Sequence, residues 1–140
     1  MSNSEVVWNI VKNSSSFLYK NNGITLTNEP YNVLNVNSRK FSGLCNKKAL
    51  DVSVVDGNVV MNKKRTKSAR FPSKLKAAMI LKKEKSACAV RKELAGSYYR
   101  VDLANYAVAR YNKLNKSLKA SKVVKKAPGA GDAMQISKTD

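Results

Sequence analysis

Apolar residues recur early in the chain at Val7, Ile10 and Val11, an i, i+3, i+4 spacing, with Val6 and Trp8 beside them. Ser2 and Glu5 stand ahead at capping-box spacing, so the pattern predicts a short helix over residues 3–12 with Trp8 in the core. The period then changes to two. Phe17 and Tyr19 alternate with Leu18 and Lys20, and Ile24 and Leu26 resume beyond Asn22-Gly23. Asn-Gly supplies the positive φ that a tight hairpin needs, and Glu29-Pro30 stops the second strand because proline lacks a ladder donor. A second hairpin follows the same logic. Leu50, Val52 and Val54 point one way, Asp56-Gly57 turns, and Val59, Val60 and Met61 return. Between the hairpins, "LNVNSRKFSGLCNKK" is polar and irregular, punctuated by Gly43, and reads as a loop with some extended pairing.

Beyond Ser73 the period changes. "SKLKAAMILKKEKS" fits a strand or a helix, whereas "SACAVRKELAG" reads as a helix capped by Ser86 and ended by Gly96. Leu103, Ala107, Tyr111, Leu114 and Leu118 then fall on one face of an amphipathic helix of about seventeen residues. Arg110, Lys113, Lys116 and Lys119 take its other faces. The last fourteen residues, with Pro128 and little to bury, read as a flexible tail. Strands precede helices, which predicts an α+β fold: a small antiparallel sheet with a short N-terminal helix, then basic C-terminal helices and the tail. Residues 1–65 are expected to form a sheet-and-helix body on Val7, Trp8, Ile10, Val11, Phe17, Leu26, Val52 and Val60. Residues 66–126 form the basic half of the same domain, and 127–140 the tail.

Charge changes this picture most. The 140 residues suit one domain, with a formal net charge of +18 from 27 Lys and Arg against 9 Asp and Glu. Residues 1–62 carry a net of only +2, residues 63–126 a net of +17 and the tail −1. The stretch "KKRTKSARFPSKLK" alone holds seven cations and no acid. Such self-repulsion opposes a compact free state and points to a polyanionic partner. No apolar run approaches the ~18 residues of a membrane span, and the N-terminus lacks the pattern of a signal peptide. Binding to an anionic lipid surface stays as an alternative.

Catalytic chemistry has little to work with. Histidine is absent, and Cys45 and Cys88, lacking any Cys-x-x-Cys spacing, read as reduced thiols. Glu5, Glu29, Asp51, Asp56 and Asp102 occupy turns or helix starts, where capping explains them. No phosphate loop, nucleophile elbow or metal-ligand cluster is present, so no enzyme, cofactor, metal or small-molecule substrate is expected. Nucleic acid is the expected partner, through Lys20, Arg39, Lys40, Lys47, Lys48, Lys63, Lys64, Arg65, Lys67, Arg70, Lys74, Lys76, Arg91, Lys92, Arg100, Arg110 and Lys113. Arg65 and Arg70 lead this set, because guanidinium grips phosphate bidentately. Phe41, Tyr98 and Tyr99 lie near cations and suit either core packing or stacking on an unpaired base. No DNA-binding helix-turn-helix, zinc finger or basic zipper appears, nor the signature of an RNA-recognition or KH domain. A basic α+β body suits a protein lodged among RNA helices, and a DNA binder is the alternative.

The order of motifs is more specific. Trp8 precedes Asn13, Ser15, Ser16, Phe17, Leu18 and Lys20; then come Asn28, Glu29, Pro30, Asn32 and Val33. Asn37, Ser38, Gly43 and Leu44 follow, and finally Tyr99, Arg100, Val101, Asp102 and Leu103. Together these closely resemble the eukaryote-specific ribosomal protein twenty-eight family of the large subunit, from about Val6 to Ser121. The resemblance implies a structural protein of the cytosolic large subunit, assembled in the nucleolus, held by ribosomal RNA and adjoining other subunit proteins. The chain departs from the family with Val101 in place of a proline, a poorly matching segment over 71–88 and a near-neutral tail, so no RNA contacts are carried past Lys126. A related domain opens a nucleolar assembly factor with clustered cysteines. Only Cys45 survives of those here, and one thiolate does not make a structural zinc site. The assembly factor is the second reading.

Overall fold

The computed structural model describes residues 3–68, 70–81 and 86–126. Helix α1 (Ser4–Val11) opens at Asn3, whose side-chain oxygen accepts from the Glu5 N–H at 3.1 Å. Asn3 therefore provides the cap expected of Ser2, which lies outside the described residues. Strands β1 (Leu18–Asn21) and β2 (Ile24–Thr27) form the first hairpin, and β3 (Leu50–Val55) and β4 (Asn58–Lys64) the second. At Asn22-Gly23 and Asp56-Gly57 both turn residues have positive φ, between 47° and 75°, the geometry that follows the twist of the flanking strands.

The undecided segment after Ser73 is a strand. β5 (Lys76–Leu81) follows a 3₁₀ turn at Pro72–Lys74 and pairs antiparallel with β4, giving the order β3-β4-β5. Val52, Met61 and Met79 stand side by side across it. Helices α2 (Ser86–Gly96) and α3 (Ala104–Lys126) match the two predicted helical segments, joined by a 3₁₀ turn at Val101–Leu103. The architecture is α+β, as expected. The tail lies outside the described residues.

The core lies between one face of the three-stranded sheet and these two helices. Leu50, Val52, Val59, Met61 and Leu81 meet Val90, Leu94, Leu103, Ala107 and Tyr111. Leu50, Met61 and Leu94 are fully enclosed, each burial worth about 2 kcal/mol. This corrects the expected core. Val52 and Val60 are buried, but α1 has no buried residue, Ile10 is 66% exposed, and Phe17 and Leu26 are also exposed. A helix of two turns and a two-stranded hairpin offer too little surface to enclose one another. The longer strands and helices after residue 49 bury theirs, so the core spans both the near-neutral and the basic half.

The two edges of the larger sheet differ. The Val52 carbonyl on β3 accepts from Arg110 Nε of α3 at 2.7 Å. The outer edge of β5 has no hydrogen-bond partner among the described residues, and Ile80 and Lys76 on it are exposed.

Candidate nucleic-acid interface

The polar loop between the hairpins is a built object. Glu29 is buried, and its carboxylate accepts from Asn32 Nδ2 (3.0 Å), Ser42 Oγ (3.1 Å) and the Gly43 N–H (3.2 Å). Asn32 in turn accepts from the N–H groups of Leu34 and Asn35 and donates to the Val36 carbonyl. Lys64, at the end of β4, donates to the carbonyls of Gly43 (2.7 Å) and Asn46 (3.1 Å). Burial lowers its pKa, partly offset by Cys45 and Glu29 nearby. Gly43 is required here: a Cβ would lie 1.9 Å from the Pro30 carbonyl oxygen. Glu29, Asn32 and Gly43 are the frame of the 39–48 loop, a role that a strand stop, a motif residue and loop punctuation do not by themselves announce.

A second fastening comes from the turn after α2. Arg100 makes a bidentate pair with Asp102 and also donates to the carbonyls of Lys40 (2.8 Å) and Lys48 (2.9 Å). That pairing depresses the Asp102 carboxyl below its usual range. The Tyr99 hydroxyl donates to the Lys64 carbonyl at 2.6 Å and accepts from the Ala49 N–H at 3.1 Å. Tyr99 is thus structural, and burial raises its pKa. Phe41 and Tyr106 meet edge to face at 5.2 Å, with the Lys40 ammonium 4.8 Å from the Tyr106 ring centre. Phe41 packs against the core as well, so it too is structural.

The frame brings cations from separate segments together. Leu44, Lys47, Lys64, Arg65 and Leu75 line one groove of about 420 Å³, so the 39–48 loop and the 65–76 connection share a surface. The connection is closed by the Arg65 N–H on the Leu75 carbonyl at 2.8 Å. Among the described residues, the side chains of Lys40, Lys47, Arg65, Lys67, Arg70, Lys74 and Lys76 are exposed and make no hydrogen bond or ion pair. Lys48 reaches the Tyr98 carbonyl at 3.4 Å and lies 5.7 Å from the Tyr99 ring centre, and Arg39 pairs with Glu5 in an exposed bridge of little energetic weight. Lys20 lies exposed on the first hairpin, Arg91 and Lys92 on α2 and Lys113 on α3.

Four expected phosphate ligands are engaged within the protein. Lys64 and Arg100 hold the loop, as above, and Lys63 pairs with Glu93. Arg110 turns inward, donating to the carbonyls of Val52 (2.7 Å) and Val33 (2.8 Å) and standing 3.6 Å from Asp51. At that separation Asp51 Oδ1 is buried without a hydrogen bond, and burial raises its pKa more than Arg110 lowers it. An acid raised on folding contributes stability that is present below its unfolded pKa and lost as pH rises through the folded one. In urea unfolding, Asp51→Asn should therefore gain on the wild type between about pH 3 and pH 7, because only the wild type takes on a buried charge. A gap that stays constant or moves the other way would contradict that environment.

Both cysteines are free, Cys45 buried and Cys88 exposed. Among the described residues no His, Cys, Asp or Glu cluster could hold a metal ion, and no helix is long and apolar enough to cross a membrane. The comparison with known proteins agrees with the motif order. A large ribosomal subunit protein eL28 of Schizosaccharomyces pombe is 32% identical over 129 residues, covering 86% of this chain and 96% of the relative. The proteins of that name from Dictyostelium discoideum (43% over 72 residues) and Caenorhabditis elegans (42% over 64) match 51% and 44% of this chain. Those two matches span about half the length of the relatives, 54% and 51%. The model of the Ribosomal L28e protein family, a family of ribosomal proteins and not of enzymes, matches residues 6–117, and the chain belongs to that family.

Proposed function

We propose that the chain is a structural, non-catalytic constituent of the cytosolic large ribosomal subunit, assembled in the nucleolus and held by the phosphates of ribosomal RNA. The observation that carries this reading is the groove where Lys47 meets Arg65. Two basic segments converge there on a frame that uses Glu29, Lys64 and Arg100 to fix the backbone and leaves the outer cations to the solvent side. A backbone already fixed need not be ordered when these cations meet phosphates, and each contact releases condensed counterions. The whole-length relative is named for the large subunit, and the +17 of residues 63–126 gives the electrostatic reason for such a place. The exposed cations on α2 and α3, with neighbouring subunit proteins, complete the proposed contacts.

If about eight phosphates are neutralised, log K for RNA should fall by roughly seven per decade of salt. Arg65→Ala and Arg70→Ala should each reduce that slope by about one and weaken retention on the large subunit in high-salt sucrose gradients, with thermal unfolding unchanged. Undiminished retention of both variants would remove the 65–76 connection from the contact surface.

A further inference from the structure

Tyr98 is the exposed counterpart of Tyr99. Its side chain is 82% exposed, more than any other large apolar residue described, although α2 and the following turn fix its backbone. The N–H groups of Tyr98 and Tyr99 donate to the carbonyls of Ala95 and Leu94, both at 3.1 Å. Its φ is +46°, a conformation that costs a tyrosine roughly 1 kcal/mol or more. The left-handed residue is what ends α2, because those two bonds satisfy its last carbonyls, so only the hydrated ring is without return inside the fold. The setting identifies what would offset it. Lys48 Nζ lies 3.4 Å from the Tyr98 carbonyl, and Arg100 ties the backbone of Lys40 and Lys48 to the same turn. A flat aromatic face is thus presented at a fixed place beside Lys48, in a turn where Arg100 is paired with Asp102.

We propose that Tyr98 is a stacking platform for one unpaired base of the bound RNA, with Lys48 on a flanking phosphate. This rests on the RNA reading above and adds the kind of RNA: a bulged or single-stranded nucleotide, because a base inside a duplex offers no free face. A protein ligand is disfavoured by the surrounding positive charge.

The test uses the full-length chain, a short oligoadenylate and a fully paired two-stranded RNA duplex with the same number of phosphates, titrated at one salt concentration. Tyr98→Ala should weaken oligoadenylate binding by roughly 5- to 100-fold, leave duplex binding unchanged and keep the salt slope. Tyr98→Phe should keep wild-type affinity for both. Tyr98→Gly, which relieves the backbone strain, should show the same loss as Tyr98→Ala and so separate the ring from the turn. Equal losses on both probes, or no loss on oligoadenylate, would overturn the stacking role while leaving the phosphate contacts standing. Failure of the wild type to bind either RNA would overturn the RNA reading and this proposal with it.

Discussion

Arg110→Met should lower the unfolding free energy by about 3 kcal/mol and leave the salt slope of RNA binding unchanged. The guanidinium joins three segments: α3, the β3 edge through the Val52 carbonyl, and the loop after the first hairpin through the Val33 carbonyl. Methionine fills much of the same volume but donates nothing. Two carbonyls and the partly buried Asp51 carboxylate would then be left without their cation. Exposure of about a quarter of each side chain keeps the expected cost below that of a fully buried pair. Urea unfolding and a salt titration of RNA affinity together check the assignment. A stable variant with a slope reduced by one would return Arg110 to the phosphate-contacting set.

Gly43→Ala should cost about 2–4 kcal/mol and weaken RNA binding as well. The new methyl would sit 1.9 Å from the Pro30 carbonyl oxygen and 2.9 Å from Tyr31 Cβ. Neither neighbour is the free end of a flexible chain, so backbone must move. The Glu29 carboxylate would lose its grip on the Gly43 N–H, and Lys64 its acceptor at the Gly43 carbonyl. The 39–48 loop would no longer hold Lys40, Lys47 and Lys48 in place. Gly96→Ala is the control: its methyl would meet open space at the end of α2, and the change should be neutral or slightly stabilising. Urea midpoints of the two variants, with amide exchange at Leu34 and Asn35, provide the comparison. Equal midpoints would show that the Pro30–Gly43 approach carries no load.

The hairpins and α3 were legible because turn chemistry and helical period are local. Asn22-Gly23 and Asp56-Gly57 form their turns, and Leu103, Ala107 and Tyr111 are buried as the pattern requires. Arg110 was misjudged for a reason the sequence does contain. At about 100° per residue it sits only ~60° from the centre of the apolar stripe, whereas Lys113, Lys116 and Lys119 sit ~120–180° away. A long side chain at the flank of a stripe can reach inward to an unpaired carbonyl. The N-terminal core was misjudged differently. Periodicity says that Val7, Ile10 and Val11 share a face, but not whether anything large enough lies opposite. Over residues 76–81, Ala77, Met79 and Leu81 alternate with Lys76, Ala78 and Ile80, and exposed Ile80 obscures the alternation. The frame around Glu29 was hidden because hydrogen bonds among residues 29, 32, 42, 43 and 64 have no period.

The uncovered side of β5 has a consequence for copies made in excess of their particle. A strand with unmet N–H and carbonyl groups is a template for a second strand, including that of an identical molecule. Arg110 occupies one carbonyl of β3, and along β5 the mutual repulsion of two highly cationic chains opposes such pairing. Their solubility should therefore fall as ionic strength rises past the physiological range, where the screening length drops below about 8 Å. If RNA holds the protein as proposed, salt would release it and expose it to itself in the same step.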